Sequence, residues 1–128
     1  MKKYLFFLVA VVAMAFTSCS KDTTYQVSNK TDHTLYDMVA FEHRDADRVD
    51  QKNIGNLGVG TNSEILTADK QAEKVKLAFR FSSDGNLYYT VQYFYLESKN
   101  NKVITLNNDT YVSTNPNAKD GVMVGKLK

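Results

Sequence analysis

The residues best equipped for chemistry in this 128-residue chain lie in His43-Arg44-Asp45-Ala46-Asp47-Arg48-Val49-Asp50, with one imidazole and three carboxylates in a single short stretch. Asp45, Asp47 and Asp50 could converge on a calcium ion, a hard cation that takes about six to eight oxygens. The spacing argues against it. Val49 occupies the third ligand position of an EF-hand-type loop, no Gly follows it, and Arg44 and Arg48 would repel the ion. Calcium is therefore a secondary reading beside a solvated inter-strand loop with internal charge pairing. One Cys and two His exclude a multi-thiolate zinc or iron–sulfur site, and no cofactor is expected. Nucleophilic catalysis would need Ser, Thr or Lys beside His33 or His43. Beyond Cys19 the chain has no Gly-x-Ser-x-Gly elbow, no His-Glu-x-x-His and no Ser-x-x-Lys, and Ser98-Lys99 is too close to serve. Gly58-x-Gly60 lacks the third glycine and the helix of a phosphate loop, so it reads as a turn. The sequence points away from an enzyme.

The aromatic residues are more suggestive. The chain holds eight Tyr and seven Phe, and Tyr88, Tyr89, Tyr93 and Tyr95 fall within Leu87 to Leu96. In an extended strand Leu87, Tyr89, Val91, Tyr93 and Tyr95 face one way, and Tyr88, Thr90, Gln92, Phe94 and Leu96 the other. A sandwich strand has one inner face to fill, so part of this set is exposed. Tyr88, Gln92 and Phe94 form the candidate binding face for a protein or glycan partner. Tyrosine packing across neighbouring strands accounts for the same residues without any ligand, and the absence of Trp removes the usual platform for sugars.

The elements that would position these side chains are short β-rich runs broken by Asn, Asp and Gly. Thr24 to Ser28 precedes the turn-prone Asn29-Lys30-Thr31-Asp32, and Thr34 to Glu42 follows. Lys74 to Ser82 alternates Val75, Leu77, Phe79 and Phe81 with Lys74, Lys76, Ala78, Arg80 and Ser82, which predicts one core face and one largely solvated face. Ser83-Asp84-Gly85-Asn86 supplies the next turn. Ile54 to Val59, Glu64 to Thr67, Lys102 to Leu106 and Thr110 to Ser113 complete the set. No useful window has a 3.6-residue apolar period. The pattern predicts an all-β fold: one antiparallel β-sandwich of about seven strands, occupying residues 24–114, with 115–128 as a tail that adds a last strand at Val122-Met123-Val124.

The start of the chain reads as an export signal. Lys2 and Lys3 precede an unbroken apolar run from Leu5 to Phe16 that is shorter than the about 20 residues a spanning helix needs. Phe16-Thr17-Ser18-Cys19-Ser20 then resembles the lipobox of bacterial lipoproteins, with Phe16 where that pattern prefers Leu. The resemblance implies cleavage of residues 1–18, lipidation of Cys19 and a tether over residues 19–23. Anchoring through more than one acyl chain is stable, because each buried CH₂ contributes about 0.8 kcal/mol. Ser20, rather than Asp, after the cysteine implies the outer membrane, on either its periplasmic or its outer face.

The order of the Asn-Lys-Thr turn, a long loop, Ile54 to Ser63, a hydrophobic strand, Asp84-Gly85, an aromatic strand and Ile104-Thr105-Leu106 resembles small lipoproteins of Gram-negative gut anaerobes. These carry immunoglobulin-like or transthyretin-like sandwiches, and the likeness covers about residues 19–113. It implies a fold and transfers no functional residue. Of 16 basic residues, Lys2 and Lys3 would leave with the signal, giving 16 − 2 = 14 against 14 acidic ones, all beyond Cys19. A neutral surface speaks against nucleic acid as partner. The expected function is that of a lipid-anchored envelope protein that binds a protein or glycan without enzymatic activity. The alternative is an inhibitor or immunity protein against an extracellular enzyme or toxin, its Asp45 to Asp50 loop plugging the target.

Overall fold

A computed structural model describes residues 21–127; the signal segment and Cys19 lie outside them. The chain forms β1 (Thr24–Lys30), β2 (Leu35–Arg44), β3 (Asp47–Leu57), β4 (Leu66–Thr67), β5 (Lys74–Arg80), β6 (Tyr88–Thr90), β7 (Phe94–Tyr95), β8 (Asn101–Asn107), β9 (Tyr111–Ser113) and β10 (Val122–Met123). A single 3-10 turn follows at Val124–Lys126. The fold is an all-β sandwich. A larger sheet runs in the order β10-β9-β6-β5-β2-β3, with β7 also on β5, and a smaller sheet runs β4-β1-β8.

The larger sheet is antiparallel throughout, whereas β1 and β8 pair in parallel from Thr24–Asn101 to Lys30–Asn107. Parallel neighbours need a long crossover, and here the whole path through β2 to β7 provides it. Ten short strands replace the expected seven. Part of the increase arises because the stretch from Leu87 to Leu96 breaks into β6 and β7 and the C-terminal segment adds β10, while the acidic stretch from Asp47 to Asp50 lengthens β3 without adding to the count.

Between the sheets lies one core. Tyr25 and Val27 of β1 and Ile104 and Leu106 of β8 meet Leu35, Met38 and Ala40 of β2 and Val75, Leu77 and Phe79 of β5. The alternation of β5 sets its inner face as the sequence predicts. Its outer face differs from the expectation, because Lys76 and Ala78 are buried too. Strand β5 sits mid-sheet, and side chains from its neighbours and from the C-terminal segment close over it. Along β2 the inward set steps from Leu35 to Met38, an odd spacing permitted by a bulge. Asp37 takes φ +52° there, and the opposite strand answers with Gly55 at φ +88°.

The C-terminal segment is bound into the sandwich. Strand β10 pairs with β9, Val124 is fully buried, and the Val124 and Gly125 amides donate to the carbonyls of Thr110 and Asn108. At Gly121 an added Cβ would stand 2.4 Å from the Val112 carbonyl oxygen and 2.7 Å from Val91 Cγ2. Backbone cannot yield as a flexible side chain can. Gly121→Ala is therefore expected to lift residues 121–127 off β9, seen as faster proteolysis of the C-terminal segment and a loss of about 1–3 kcal/mol in urea unfolding.

Candidate functional site

The path of the chain after β5 decides which aromatic rings are available. Tyr89 lies opposite Ala78 and Tyr88 opposite Phe79, while Phe94 lies opposite Val75 and Tyr95 opposite Lys74. Between these pairings β5 advances three residues, from Ala78 to Val75, and its partner five, from Tyr89 to Phe94. Two extra residues must bulge out. The Leu77 amide, which would pair in a continuous ladder, instead donates to Thr90 Oγ1 at 3.0 Å. Tyr88 and Phe94 consequently turn inward and pack on the core. Tyr89 and Tyr95 face outward, and Tyr93, carried on the bulge, lies across the outer surface.

That outer surface is cationic and aromatic. Tyr93 meets His43 edge-on at 5.2 Å between ring centroids, with Lys74 Nζ 4.2 Å and Lys76 Nζ 4.7 Å from its centroid. Lys74 also lies 5.8 Å from the Tyr95 ring, which is 64% exposed. On the neighbouring strands Arg48 stacks over Phe41 at 4.2 Å, and Phe41 stacks with Tyr89 at 6.1 Å. Each such contact at a surface is worth about 0.5–1 kcal/mol, more where desolvated.

Among the described residues, no carboxylate lies within ion-pair distance of Arg48, Lys74 or Lys76; the four ion pairs present are Arg44–Glu73, Lys52–Glu42, Lys52–Asp50 and Arg80–Asp37. Lys76 is 6% exposed, and its ammonium donates to the Pro116 carbonyl at 2.8 Å. Burial, and secondarily the neighbouring Lys74, pushes the Lys76 ammonium below the usual lysine range. His43 Nδ1 is buried without a hydrogen-bond partner. Burial holds the imidazole below its ordinary value, and Arg48, Lys74 and Lys76 push it further down.

The sequence-predicted face is thus not assembled. Tyr88 lines a cavity of about 260 Å³ with His33, Phe81 and Leu127 at one end of the sandwich. Gln92 is exposed and borders a separate cavity of about 300 Å³ beside Tyr111 and Lys119. Phe94 packs against the core. A single uninterrupted strand would have kept Tyr88, Gln92 and Phe94 on one face; the bulge puts Gln92 out of phase with the other two. The residues that do gather are Phe41, His43, Arg48, Lys74, Lys76, Tyr89, Tyr93 and Tyr95. The sequence carried part of a signal for them, since Tyr89, Tyr93 and Tyr95 share one alternation set and Lys74 and Lys76 another; the pairing that puts the two sets on one face comes from the sheet.

The acidic stretch is also differently built. His43 and Arg44 end β2, Asp45 and Ala46 make a two-residue turn with Asp45 at φ +53°, and Asp47 opens β3 opposite Arg44. Asp50 accepts a hydrogen bond from Lys52, which holds its carboxyl below the usual carboxylate range, while Asp50 in turn raises the Lys52 ammonium. Among the described residues no three His, Cys, Asp or Glu side chains gather as a metal site. The structure does not bring Asp45, Asp47 and Asp50 together as one ligand set. Asp45 sits at the turn, Asp47 follows it on the partner strand, and Asp50 is committed to a lysine.

Across the core a second constellation joins the two sheets. Glu42, fully buried on β2, accepts a hydrogen bond from the Tyr25 hydroxyl at 2.6 Å and from the Asp69 amide at 2.7 Å, with Lys52 Nζ at 3.6 Å. Burial, and then the Glu42 carboxylate, drives the Tyr25 phenol well above its ordinary range, so it stays a donor. Every oxygen of this carboxylate is engaged, which marks a structural pin.

No family model and no curated protein matches the chain. Among solved structures it is similar to the NMR structure of a protein from Eubacterium rectale, with a TM-score of 0.52 and 13% identity, over 73% of this chain and 88% of that one. At that identity the likeness is one of fold alone, and what it shares with this chain is the sandwich that carries the Tyr93-centred face.

Proposed function

We propose that the protein is a non-enzymatic binding module of the cell envelope, anchored to the outer membrane through lipid on Cys19, and that it engages its partner with the outer face of the larger sheet. The observation that carries this reading is the set of cations stacked on Tyr93, Tyr95 and Phe41 with no carboxylate among the described residues within ion-pair distance. A solvated sheet face normally intersperses both signs of charge. Aromatic rings with adjacent cations offer contact area and hydrogen bonding at low entropic cost. Supporting the anchor are the apolar Leu5 to Phe16 run and the Phe16 to Ser20 sequence. Among the described residues no helix is long and apolar enough to cross a membrane.

The test is capture of envelope components by the full chain with and without Lys74→Ser and Tyr95→Ser. Wild-type protein in the membrane fraction is expected to retain a component that the double variant loses, and Cys19→Ser is expected to move the protein to the soluble fraction. Equal recovery by both proteins, or recovery of a secreted enzyme through the Arg44–Arg48 turn instead, would overturn the reading, the latter in favour of an inhibitor.

A further inference from the structure

We infer that the ligand of this outer face is an acidic glycan, a chain of sugar rings bearing carboxylate or sulfate groups. The inference rests on the binding-module reading and supplies the chemistry of its partner.

Three features lead to it. The first is uncompensated charge. Arg48 on β3 and Lys74 and Lys76 on β5 surround Tyr93 and Phe41 without an acidic partner among the described residues. A ligand anion would complete the set.

The second is the cost of Lys76. Burying an ammonium against one carbonyl and one tyrosine ring, with no carboxylate beside it, is unfavourable, and an apolar residue of similar length would fill the same space between Tyr93 and the Pro116 carbonyl. A residue that breaks a local rule of packing without a structural return belongs to a site.

The third is shape. The face is a sheet surface with rings lying on it, so it suits an extended chain whose CH faces stack on Tyr95 and Tyr93 while its acidic groups meet the ammonium and guanidinium groups. Tryptophan is absent, and here tyrosine rings with cations on them take its place. An acidic peptide brings the same charge but no rigid CH faces for the rings, so a chain of sugar rings uses both halves of the surface. A nucleic acid would want a broad positive field, which 14 basic and 14 acidic residues beyond Cys19 do not generate.

His43 ties binding to pH. Arg48 from β3, Lys74 and Lys76 from β5 and Tyr93 from the bulge face its ring, the backbone of its own turn at Ala46 favours the protonated form, and Glu73 directs its carboxylate to Arg44. The three cations disfavour its protonation. A bound anion would reverse that balance, so ligand binding takes up a proton and strengthens as pH falls through the imidazole range.

The experiment is affinity electrophoresis of the full chain in detergent against polygalacturonate, dextran sulfate, neutral dextran, poly-glutamate and an oligodeoxynucleotide. Polygalacturonate or dextran sulfate is expected to retard the protein and neutral dextran to leave it free. Lys74→Ser with Tyr95→Ser should weaken retardation about tenfold, roughly the loss of one desolvated charged contact, while Lys30→Ser on the far strand end should not. Lys76→Met should weaken it while leaving the melting temperature equal or higher, a separation that a purely structural lysine would not show. Binding should tighten from pH 7.5 to 5.5, and His43→Gln should abolish that change. Retardation by poly-glutamate or the oligonucleotide at least as strong as by the glycans, or none by either acidic glycan, would overturn the inference. If envelope capture still depends on Lys74 and Tyr95 in that case, the binding-module reading survives and only the glycan falls; if capture fails too, both fall.

Discussion

Glu42→Ala is expected to lower the unfolding free energy by roughly 3–5 kcal/mol, the range for removing one partner of a buried charged network. Two donors lose their acceptor at once, the Tyr25 hydroxyl and the Asp69 amide, and Lys52 loses an ion pair while keeping Asp50. Tyr25 is fully buried and cannot turn to water. The truncation also opens a cavity between the sheets, and cavity and desolvation penalties add. Tyr25→Phe removes one donor and leaves the carboxylate its other two contacts, so its cost should be about 1.5–3 kcal/mol. Urea unfolding of both variants measures the two values, and a Glu42→Ala loss below about 1 kcal/mol would show that the network is not what joins the sheets.

The position of this pin matters for function. Strand β1 follows directly from the proposed tether, and Glu42 and Lys52 lie on the two strands that also carry Phe41, His43 and Arg48. Tyr25–Glu42 therefore connects the strand next to the proposed tether to the sheet that carries the proposed binding face.

Asn29→Ala is the second large effect, expected to cost roughly 3 kcal/mol and to lower the melting temperature by about 10–20 °C. Asn29 is fully buried at the end of β1. Its Nδ2 donates to the carbonyls of His33 at 2.8 Å, Leu57 at 2.9 Å and Gly58 at 3.2 Å, and its Oδ1 accepts from the Thr31 amide at 3.0 Å and hydroxyl at 2.7 Å. Its backbone carbonyl accepts from Gly60 and its amide donates to Thr61. One side chain thus holds together the β1–β2 turn and the loop after β3. Alanine leaves those carbonyls without donors in a dry setting. Asn29→Asp should be at least as damaging, because it replaces both donors with an acceptor and buries a charge. Differential scanning calorimetry of the two variants checks this, and a shift below about 3 °C in both would contradict it.

How much of this was readable beforehand depends on the kind of signal each residue carries. The inner face of β5 follows from Val75, Leu77 and Phe79 alternating with longer polar residues. The turn at Asp84-Gly85 and the pairing of Val122 and Met123 follow from local composition. Asp47 to Asp50 read as a loop because Asp and Arg are poor strand formers; pairing with β2 on one side overrode that preference. Asn29 read as a turn residue, which its type favours, yet it is buried because its amide satisfies a loop distant in sequence. Glu42 looked like the polar end of a strand, and only Tyr25, seventeen positions earlier, makes its burial tolerable.

The candidate face divides in the same way. The sequence alone determined that aromatic rings would project from both sides of the stretch from Leu87 to Leu96, that the residues beyond Cys19 are electrically balanced, and that the fold is a β-sandwich, because composition, period-two alternation and turn chemistry can be read from the sequence itself. Which rings face outward was decided by tertiary structure. Alternation defines two sets of residues and is silent on which set meets the core; pairing of Tyr88 with Phe79 and of Phe94 with Val75 sends their set inward, and the two extra residues between Tyr89 and Phe94, an insertion that exists only relative to β5, take Gln92 out of it. The same pairing brings Lys74, Lys76, His43 and Arg48 from three strands around Tyr93, a neighbourhood fixed by strand order across the sheet and by no spacing along the chain.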